Sequence, residues 1–229
     1  MERDRRTSVA PYLAEFLGTF ALVFAGPGAA AVDVASGGDV GQVGVGLSFG
    51  LIVMAMIFTF GHVSGAHINP AISIAFFALG RIDARRLGGY IIVQLAGAAL
   101  AGVAIIAILG SESDAGATVP SINGTDAAFW SELILTFFLA LVVLVVATDS
   151  RAEGSMAAIA VGGYVAMAAT GWGPVAGASM NPARSFGPAL AANVWTSHWV
   201  YWVAPIAGAL IAAAAYHVLR EPHPLEDGS

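Results

Sequence analysis

The chain has 229 residues, of which 58% are hydrophobic and 10% are charged, and its formal net charge is −6. Soluble domains carry about 25% charged residues, so this composition indicates a membrane protein. The sequence contains no cysteine, which excludes disulfides, thiolate metal sites and cysteine nucleophiles. Every basic residue is an arginine. The arginines form no basic patch, and we expect no nucleic-acid partner.

Six apolar segments have the length of membrane-spanning helices, which need about 20 residues to cross the hydrocarbon core. Two shorter apolar segments, 69–79 and 181–192, are typical of re-entrant or buried helices. At about 1.5 Å per residue, each would cover only about half of a core about 30 Å thick. We therefore predict an all-α polytopic membrane protein with six transmembrane helices and two re-entrant half-helices, forming a single membrane domain over residues 1–229. The predicted spans are roughly 10–32, 42–60, 87–109, 128–148, 155–172 and 198–219.

The arginines predict the orientation of the chain. With six spans, all but one of them fall on the same side of the membrane, which the positive-inside bias makes cytoplasmic together with both termini. The exception is Arg184, which lies in the second short segment. The first apolar run is too long for a signal peptide and contains Glu15, so we expect it to be retained as a span of a plasma-membrane protein. The arginines on the cytoplasmic side are Arg3, Arg5, Arg6, Arg81, Arg85, Arg86, Arg151 and Arg220.

Three stretches of the first half recur in the second half in the same order. Because each half contains three spans, the second half is inverted relative to the first, and the two short segments are expected to meet near the midplane. The matched pairs are PYLAEFLGTF (11–20) with AFWSELILTF (128–137), GAHINPAIS with GASMNPARS, and YIIVQLAGA (90–98) with YWVAPIAGA (201–209). Their offsets of 117, 112 and 111 residues indicate a duplication covering approximately 10–110 and 127–219.

An Asn-Pro-Ala triplet stands at the beginning of each short segment, at 69–71 and 181–183. Asn is favoured at the N-cap and Pro at the first helical position, so each triplet predicts the start of a half-helix. The preceding Gly-Ala pairs permit extended backbone, which must be buried in protein or line a water-filled path. Two helix N-termini then face each other, each with a positive potential equal to about half a charge. Amide donors backed by this potential suit neutral polar molecules and reject cations.

The two triplets, the paired Glu residues and the stretches GAHINPA and GASMNPARSFGPA resemble the aquaporin (major intrinsic protein) family over essentially the whole chain. The resemblance implies six tilted spans, two half-helices, one pore per subunit and a homotetramer in the lipid bilayer. It further suggests a water-channel branch of bacterial or archaeal type with a widened selectivity filter. It implies no metal or cofactor. The motif residues expected at the pore are Asn69, Pro70, Ala71, Asn181, Pro182 and Ala183.

The resemblance also implies a selectivity filter at an extracellular constriction. Arg184 would donate hydrogen bonds to solutes there and repel cations and hydronium. By their spacing from the triplets within the family pattern, Phe49, Ala169 and Ala178 complete the filter. Water-selective members often have His at the position of Ala169, so an alanine predicts a wider and more apolar filter.

Other positions resemble the water-channel branch. Glycerol facilitators of the family typically have Asp directly after the Arg, whereas this chain has Ser185, and Ala189 and the Tyr201-Trp202 pair are also similar to water channels. We therefore favour a passive channel for water that excludes protons and ions. Glycerol, ammonia and uncharged metalloid acids remain additional or alternative permeants.

Glu15 and Glu132 occupy equivalent positions inside the first and fourth spans. A proton relay is one interpretation, and the family favours another, in which both carboxylates are buried and bind the backbone of the half-helix loops. His62 is expected near the cytoplasmic mouth. The carbonyls expected to line the pore are those of Gly65, Ala66, His67, Gly177 and Ser179.

Two further function classes share some of these features. Ion-coupled secondary transporters also use inverted repeats and broken helices, but only Glu15 and Glu132 could serve here as a coupling site. An adhesion or scaffolding protein with a closed pore is the other alternative, although short loops and tails offer little surface to a partner. The sequence contains no Ser/His/Asp spacing, metal cluster or cofactor loop, so we do not expect an enzyme.

Overall fold

The computed structural model describes residues 9–147 and 155–220, so Arg3, Arg5, Arg6 and Arg151 lie outside the described residues. Within these two ranges the chain is all-helical, and six helices are long and apolar enough to cross a membrane. The predicted fold class is confirmed. The helices are α1 Ala10–Ser36, α2 Gly41–Ser64, α3 Pro70–Ala78, α4 Ala84–Leu109, α5 Gly124–Val146, α6 Ser155–Ala176, α7 Pro182–Ala192 and α8 Val200–Leu219, and a short 3₁₀ turn covers Ser111–Gly116.

The two short helices together have the length of one span. α3 contains 9 residues and α7 contains 11. At 1.5 Å per residue they are about 14 and 16 Å long, and their sum matches a hydrocarbon core of about 30 Å. Placed end to end, they therefore reach across the membrane only in combination.

Some helices end later than the apolar pattern predicts. The prediction ended the second span at residue 60, but α2 continues to Ser64 because the helical φ/ψ values persist until Gly65, whose φ is 91°. The fifth span was predicted to end at 172, but α6 continues through Pro174 to Ala176, directly before Gly177 with φ 89°. In both cases a left-handed glycine, the residue type that adopts this conformation without strain, ends the helix.

The helices pack in matching pairs in the two halves of the chain. α1 packs against α4 and α5 packs against α8, while α2 packs against α6. A Cβ added at Gly97 would collide with the carbonyl oxygen of Phe16, and one at Gly208 would collide with that of Leu133. Glycine therefore permits the close helix approach in both pairs, as small residues do at membrane helix interfaces. α3 lies against α8 and α4, and α7 against α4 and α1, so the surrounding spans hold the half-helices in the interior.

Candidate functional site: two half-helices between two cavities

Each half-helix begins at an asparagine that caps it. Asn69 and Asn181 have extended backbones, with φ values of −159° and −155°. Oδ1 of Asn69 accepts a hydrogen bond from the N–H of Ala71 at 2.8 Å, and Oδ1 of Asn181 accepts one from the N–H of Ala183 at 3.0 Å. The asparagine oxygens therefore satisfy donors that a helix N-terminus otherwise leaves unpaired.

The loops before the half-helices, residues 65–69 and 177–181, have the same unusual backbone. Non-glycine residues rarely adopt a positive φ, and each such residue costs of order 1–2 kcal/mol. Two non-glycine residues of each loop nevertheless do so, so other interactions must hold the loops in this shape. The φ values are 91°, 46° and 42° at Gly65, Ala66 and Ile68, and 89°, 42° and 53° at Gly177, Ala178 and Met180.

Two fully buried carboxylates supply these interactions. Glu15 accepts the backbone N–H groups of residues 67 and 68 at 2.9 and 2.6 Å. Glu132 accepts those of residues 179 and 180 at 2.7 Å each. Each carboxylate thus pairs with two consecutive loop donors, which are buried backbone groups that need a hydrogen-bond partner. This arrangement uses the carboxylates as fixed acceptors for the loops.

An amide side chain reinforces the first loop. Nε2 of Gln94 donates to Oε2 of Glu15 at 2.8 Å and to Oγ of Ser73 at 3.1 Å, and the same Ser73 oxygen lies 3.1 Å from Nδ1 of His67. The matching position in the second half is Pro205, which has no side-chain donor. Each loop therefore binds a buried carboxylate of its own, but the groups around the two carboxylates differ.

Hydrogen bonds between the asparagines and the opposite loops join the two half-helices. Nδ2 of Asn69 donates to the carbonyl oxygen of Met180 at 2.8 Å, and Nδ2 of Asn181 donates to that of Ile68 at 2.9 Å. A carboxamide nitrogen carries two N–H donors. After these contacts, each asparagine retains one N–H for another acceptor.

Two cavities lie near the half-helices, and the asparagine junction lines the first of them. The inner cavity, of about 110 Å³, lies towards the end of α5 and the start of α6, and the outer vestibule, of about 230 Å³, lies beside the 3₁₀ turn. Phe49 and Arg184 line both cavities, so the two spaces meet at these residues. The apolar side chains along the inner cavity include Leu22, Val53, Ile57, Ile72, Leu139, Val143, Val161 and Val165, and its polar side chains include His67, Asn69, Ser179, Asn181 and Arg184.

An aromatic ring and a backbone carbonyl hold the guanidinium of Arg184 in place where the two cavities meet. Its Cζ lies 4.9 Å from the centre of the Phe49 ring, and Nη1 donates to the carbonyl oxygen of Gly116 at 3.0 Å. Only 3% of Arg184 is exposed. In the described part of the chain, its buried Nε has no hydrogen-bond partner. A buried cation with a spare donor therefore lies where the two cavities meet.

The sequence profile described as Major intrinsic protein matches residues 2–216. The chain belongs to the major intrinsic protein family. Aquaporin NIP1-3 of Oryza sativa subsp. japonica is 44% identical over 210 residues, which cover 91% of this chain and 73% of the rice protein. Aquaporin NIP6-1 of Arabidopsis thaliana is 44% identical over 209 residues, covering 91% and 68%. The X-ray structure of the aquaglyceroporin from Plasmodium falciparum matches with a TM-score of 0.80 and 27% identity, covering 91% of this chain and 95% of that one.

As a member of the major intrinsic protein family, the chain is a multi-pass membrane channel and not an enzyme, as the sequence predicted. The branch expectation has a different outcome. The relatives named above are NIP aquaporins of plants, and they give no support to a bacterial or archaeal branch.

The filter positions implied by the family pattern each line at least one of the two cavities. Phe49 lines both cavities, Ala178 lines the inner cavity, and Ala169 lines the vestibule. All three side chains are buried, with exposures of 3–4%. The loop residues 65–67 and 179 line the inner cavity, and Gly177 lines the vestibule. His62, expected near the cytoplasmic mouth, is exposed and does not line the inner cavity.

Sequence reasoning missed the segment between α4 and α5. Gly116 supplies the carbonyl that binds Arg184, and Oγ1 of Thr118 donates to Oγ of Ser185 at 2.8 Å. Ser185 in turn lies 2.6 Å from Oγ of Ser179 in the second loop. The segment has no periodic pattern and binds partly through a backbone oxygen, so its residue types gave no signal.

Proposed function

We propose that this channel conducts water and small uncharged solutes passively, in single file, between the vestibule and the inner cavity. The observation that carries the proposal is the junction itself, where two amide donors, from Asn69 and Asn181, lie at the half-helix ends beside a mostly apolar cavity. In this proposal the spare amide N–H groups orient each permeant at the centre, and the carbonyls of the two loops supply acceptors. Apolar walls elsewhere limit the hydrogen bonds that slow passage.

In this proposal, cations and protons are excluded by the positive charges at the half-helix junction and at Arg184. Two half-helix N-termini each contribute a positive potential equal to about half a charge. Arg184 adds a full charge at the constriction, and burial strengthens its field relative to that in water. The carboxylates of Glu15 and Glu132 are engaged by loop N–H groups, which supports a structural role for them rather than ion coupling.

The proposed selectivity filter consists of Phe49, Ala169, Ala178 and Arg184. Two of its four side chains are methyl groups, so we infer a filter wide enough for solutes larger than water. The structural similarity to an aquaglyceroporin agrees with passage of glycerol, while Ser185 in place of Asp resembles the water channels. Water is therefore the first permeant of the proposal, and glycerol, ammonia or uncharged metalloid acids are further ones.

Stopped-flow light scattering of proteoliposomes tests this function. We expect a sucrose gradient to shrink the vesicles much faster than empty ones, because water leaves through the channel. In a glycerol gradient, shrinkage should be followed by re-swelling faster than in empty vesicles. Water permeability equal to that of empty vesicles, together with absence of solute flux, would contradict the proposal.

The substitution Ala169→His tests the filter. An imidazole in place of a methyl group narrows the constriction and adds a polar group, so we expect glycerol permeability to fall about tenfold or more and water permeability to fall less than about twofold. Met167→His is the control, since it adds the same side chain to α6 at a residue that is 50% exposed and lines neither cavity. Equal losses of both permeabilities in Ala169→His would place residue 169 outside the filter.

The proposal also covers the membrane, the orientation and the assembly of the channel. We propose a plasma-membrane protein with both termini in the cytoplasm, which the exposed Arg81 and Arg85 beside the start of α4 support. We also propose that the two sequence halves are an inverted repeat and that four subunits assemble with one pore each. Protease accessibility of tags in sealed vesicles tests the orientation, and native mass spectrometry tests the tetramer.

A further inference from the structure

We propose that Gln42, at the start of α2, determines specificity by acting as a hydrogen-bond acceptor for small uncharged polyols at the outer edge of the filter. This inference rests on the proposed conduction of solutes. Gln42 lines the vestibule together with Ala169 and Arg184. Its Nε2 donates to the carbonyl oxygen of Ala169 at 2.6 Å. The carboxamide is therefore fixed to the backbone of a filter residue.

The four filter side chains contain no hydrogen-bond acceptor, so a polyol at the filter depends on acceptors of neighbouring groups, which in the vestibule include Gln42 together with Ser113 and Asp114. Arg184 has N–H donors only, and Phe49, Ala169 and Ala178 have no polar side-chain atom. A polyol brings neighbouring hydroxyls that each donate and accept, and leaving a donor unpaired in a narrow path is costly. In the described ranges, Oε1 of Gln42 makes no hydrogen bond with the protein. It is thus available to accept from a hydroxyl in the vestibule.

Gly173, which lies against Gln42, leaves a defined space for the Gln42 carboxamide. A Cβ added at Gly173 would collide with Nε2 of Gln42, whereas the Cδ and Oε1 atoms would be 3.5 and 3.9 Å away. The glycine therefore leaves the space that the carboxamide nitrogen occupies. Because the colliding atom is the far end of a flexible side chain, Gly173→Ala should displace the carboxamide without disturbing the helices.

An alternative role for Gln42 is a simple link between α2 and α6. The two roles differ in what they predict for permeants. A structural link would affect water and solutes together through the width or stability of the pore. A specific acceptor affects polyols more than water, because a water molecule in a wide filter keeps hydrogen bonds to the waters next to it.

The test compares water and glycerol permeabilities in proteoliposomes of the full chain. We expect Gln42→Leu to lower glycerol permeability about fivefold, the effect of losing about one net hydrogen bond, and to leave water permeability within about twofold. Gly173→Ala should also lower the ratio of glycerol permeability to water permeability. The double variant should have a ratio no lower than that of Gln42→Leu. Thr59→Val, which removes a polar group from an exposed part of α2 outside both cavities, should match the wild type.

Two results would overturn the inference. If wild-type vesicles pass glycerol but Gln42→Leu keeps the wild-type ratio, or loses water and glycerol equally, the residue is not a specific acceptor while the channel function stands. If wild-type vesicles pass no glycerol, the solute part of the proposed function fails and the role of Gln42 fails with it. Thermal unfolding in detergent accompanies each variant, so that a loss of folded protein is seen separately from a change in the ratio.

Discussion

Replacing Glu132 with Leu is expected to abolish conduction and to destabilise the protein. The substitution leaves the buried N–H groups of residues 179 and 180 without an acceptor. Each unsatisfied buried donor costs about 1–3 kcal/mol, and the left-handed φ values at Ala178 and Met180 lose the contacts that maintain them. We therefore expect water permeability to fall at least about tenfold and the unfolding temperature in detergent to drop.

Two companion variants separate the carboxylate's role from general damage to α5. Glu132→Gln keeps one acceptor oxygen but turns an NH₂ group towards a loop donor, so its permeability should lie between the wild type and Glu132→Leu. Ser131→Ala removes the neighbouring hydroxyl, whose hydrogen bond in the described part of the chain stays within its own helix, to the carbonyl oxygen of Ala128, and it should conduct as the wild type. A Glu132→Leu channel with wild-type water permeability would show that the second loop holds its shape without this acceptor.

The fold could be predicted from the sequence to a large extent because two physical signals agree. Apolar runs of spanning length mark the six long helices, and Asn followed by Pro marks the starts of α3 and α7. The helix ends were less predictable. The apolar pattern fades near Gly61 and His62, yet α2 continues to Ser64 because its end depends on the positive φ of Gly65. Hydropathy contains no information about that dihedral angle.

The site residues were predictable where a motif or a family pattern marks them. For Glu15 and Glu132 the residues alone left a proton relay open, and it was the family resemblance that favoured binding to the loops, where the structure places both carboxylates. Gln94 carried a comparable signal, an amide within an apolar helix, but its partners Glu15 and Ser73 are 79 and 21 residues away in sequence. The carbonyl of Gly116 carried no sequence signal, because every residue has a carbonyl and only the fold determines which one binds Arg184.

The residue directly after each Asn-Pro-Ala motif makes the two sides of the junction different. Ile72 and Arg184 occupy these matching positions. Of the two cavities, Ile72 lines only the inner one, whereas Arg184 lines both. The two sides of the half-helix junction therefore differ in this cation and the segment that binds it, in addition to the difference between Gln94 and Pro205.

Removing this cation is expected to open the channel to protons and small cations. In Arg184→Ala a permeating cation no longer meets a like charge at the constriction. Two unit charges about 7 Å apart repel by about 2 kcal/mol at an effective dielectric constant of about 20, which corresponds to about a thirtyfold change in rate. Proton leak, followed with a pH-sensitive dye trapped in the vesicles, should therefore rise by about that factor, while water permeability stays at or above the wild-type level.

Arg184→Lys is the matched control for charge, because it keeps a cation but loses the planar group that lies over Phe49 and binds Gly116. If charge is what excludes cations, the Lys variant should remain tight to protons, while its solute selectivity changes with the altered geometry. A proton leak in Arg184→Lys as large as in Arg184→Ala would instead assign exclusion to the position of the guanidinium. If Arg184→Ala leaks protons no faster than the wild type, the charge of Arg184 is not needed for exclusion. The positive potential of the two half-helix N-termini would then be a sufficient barrier.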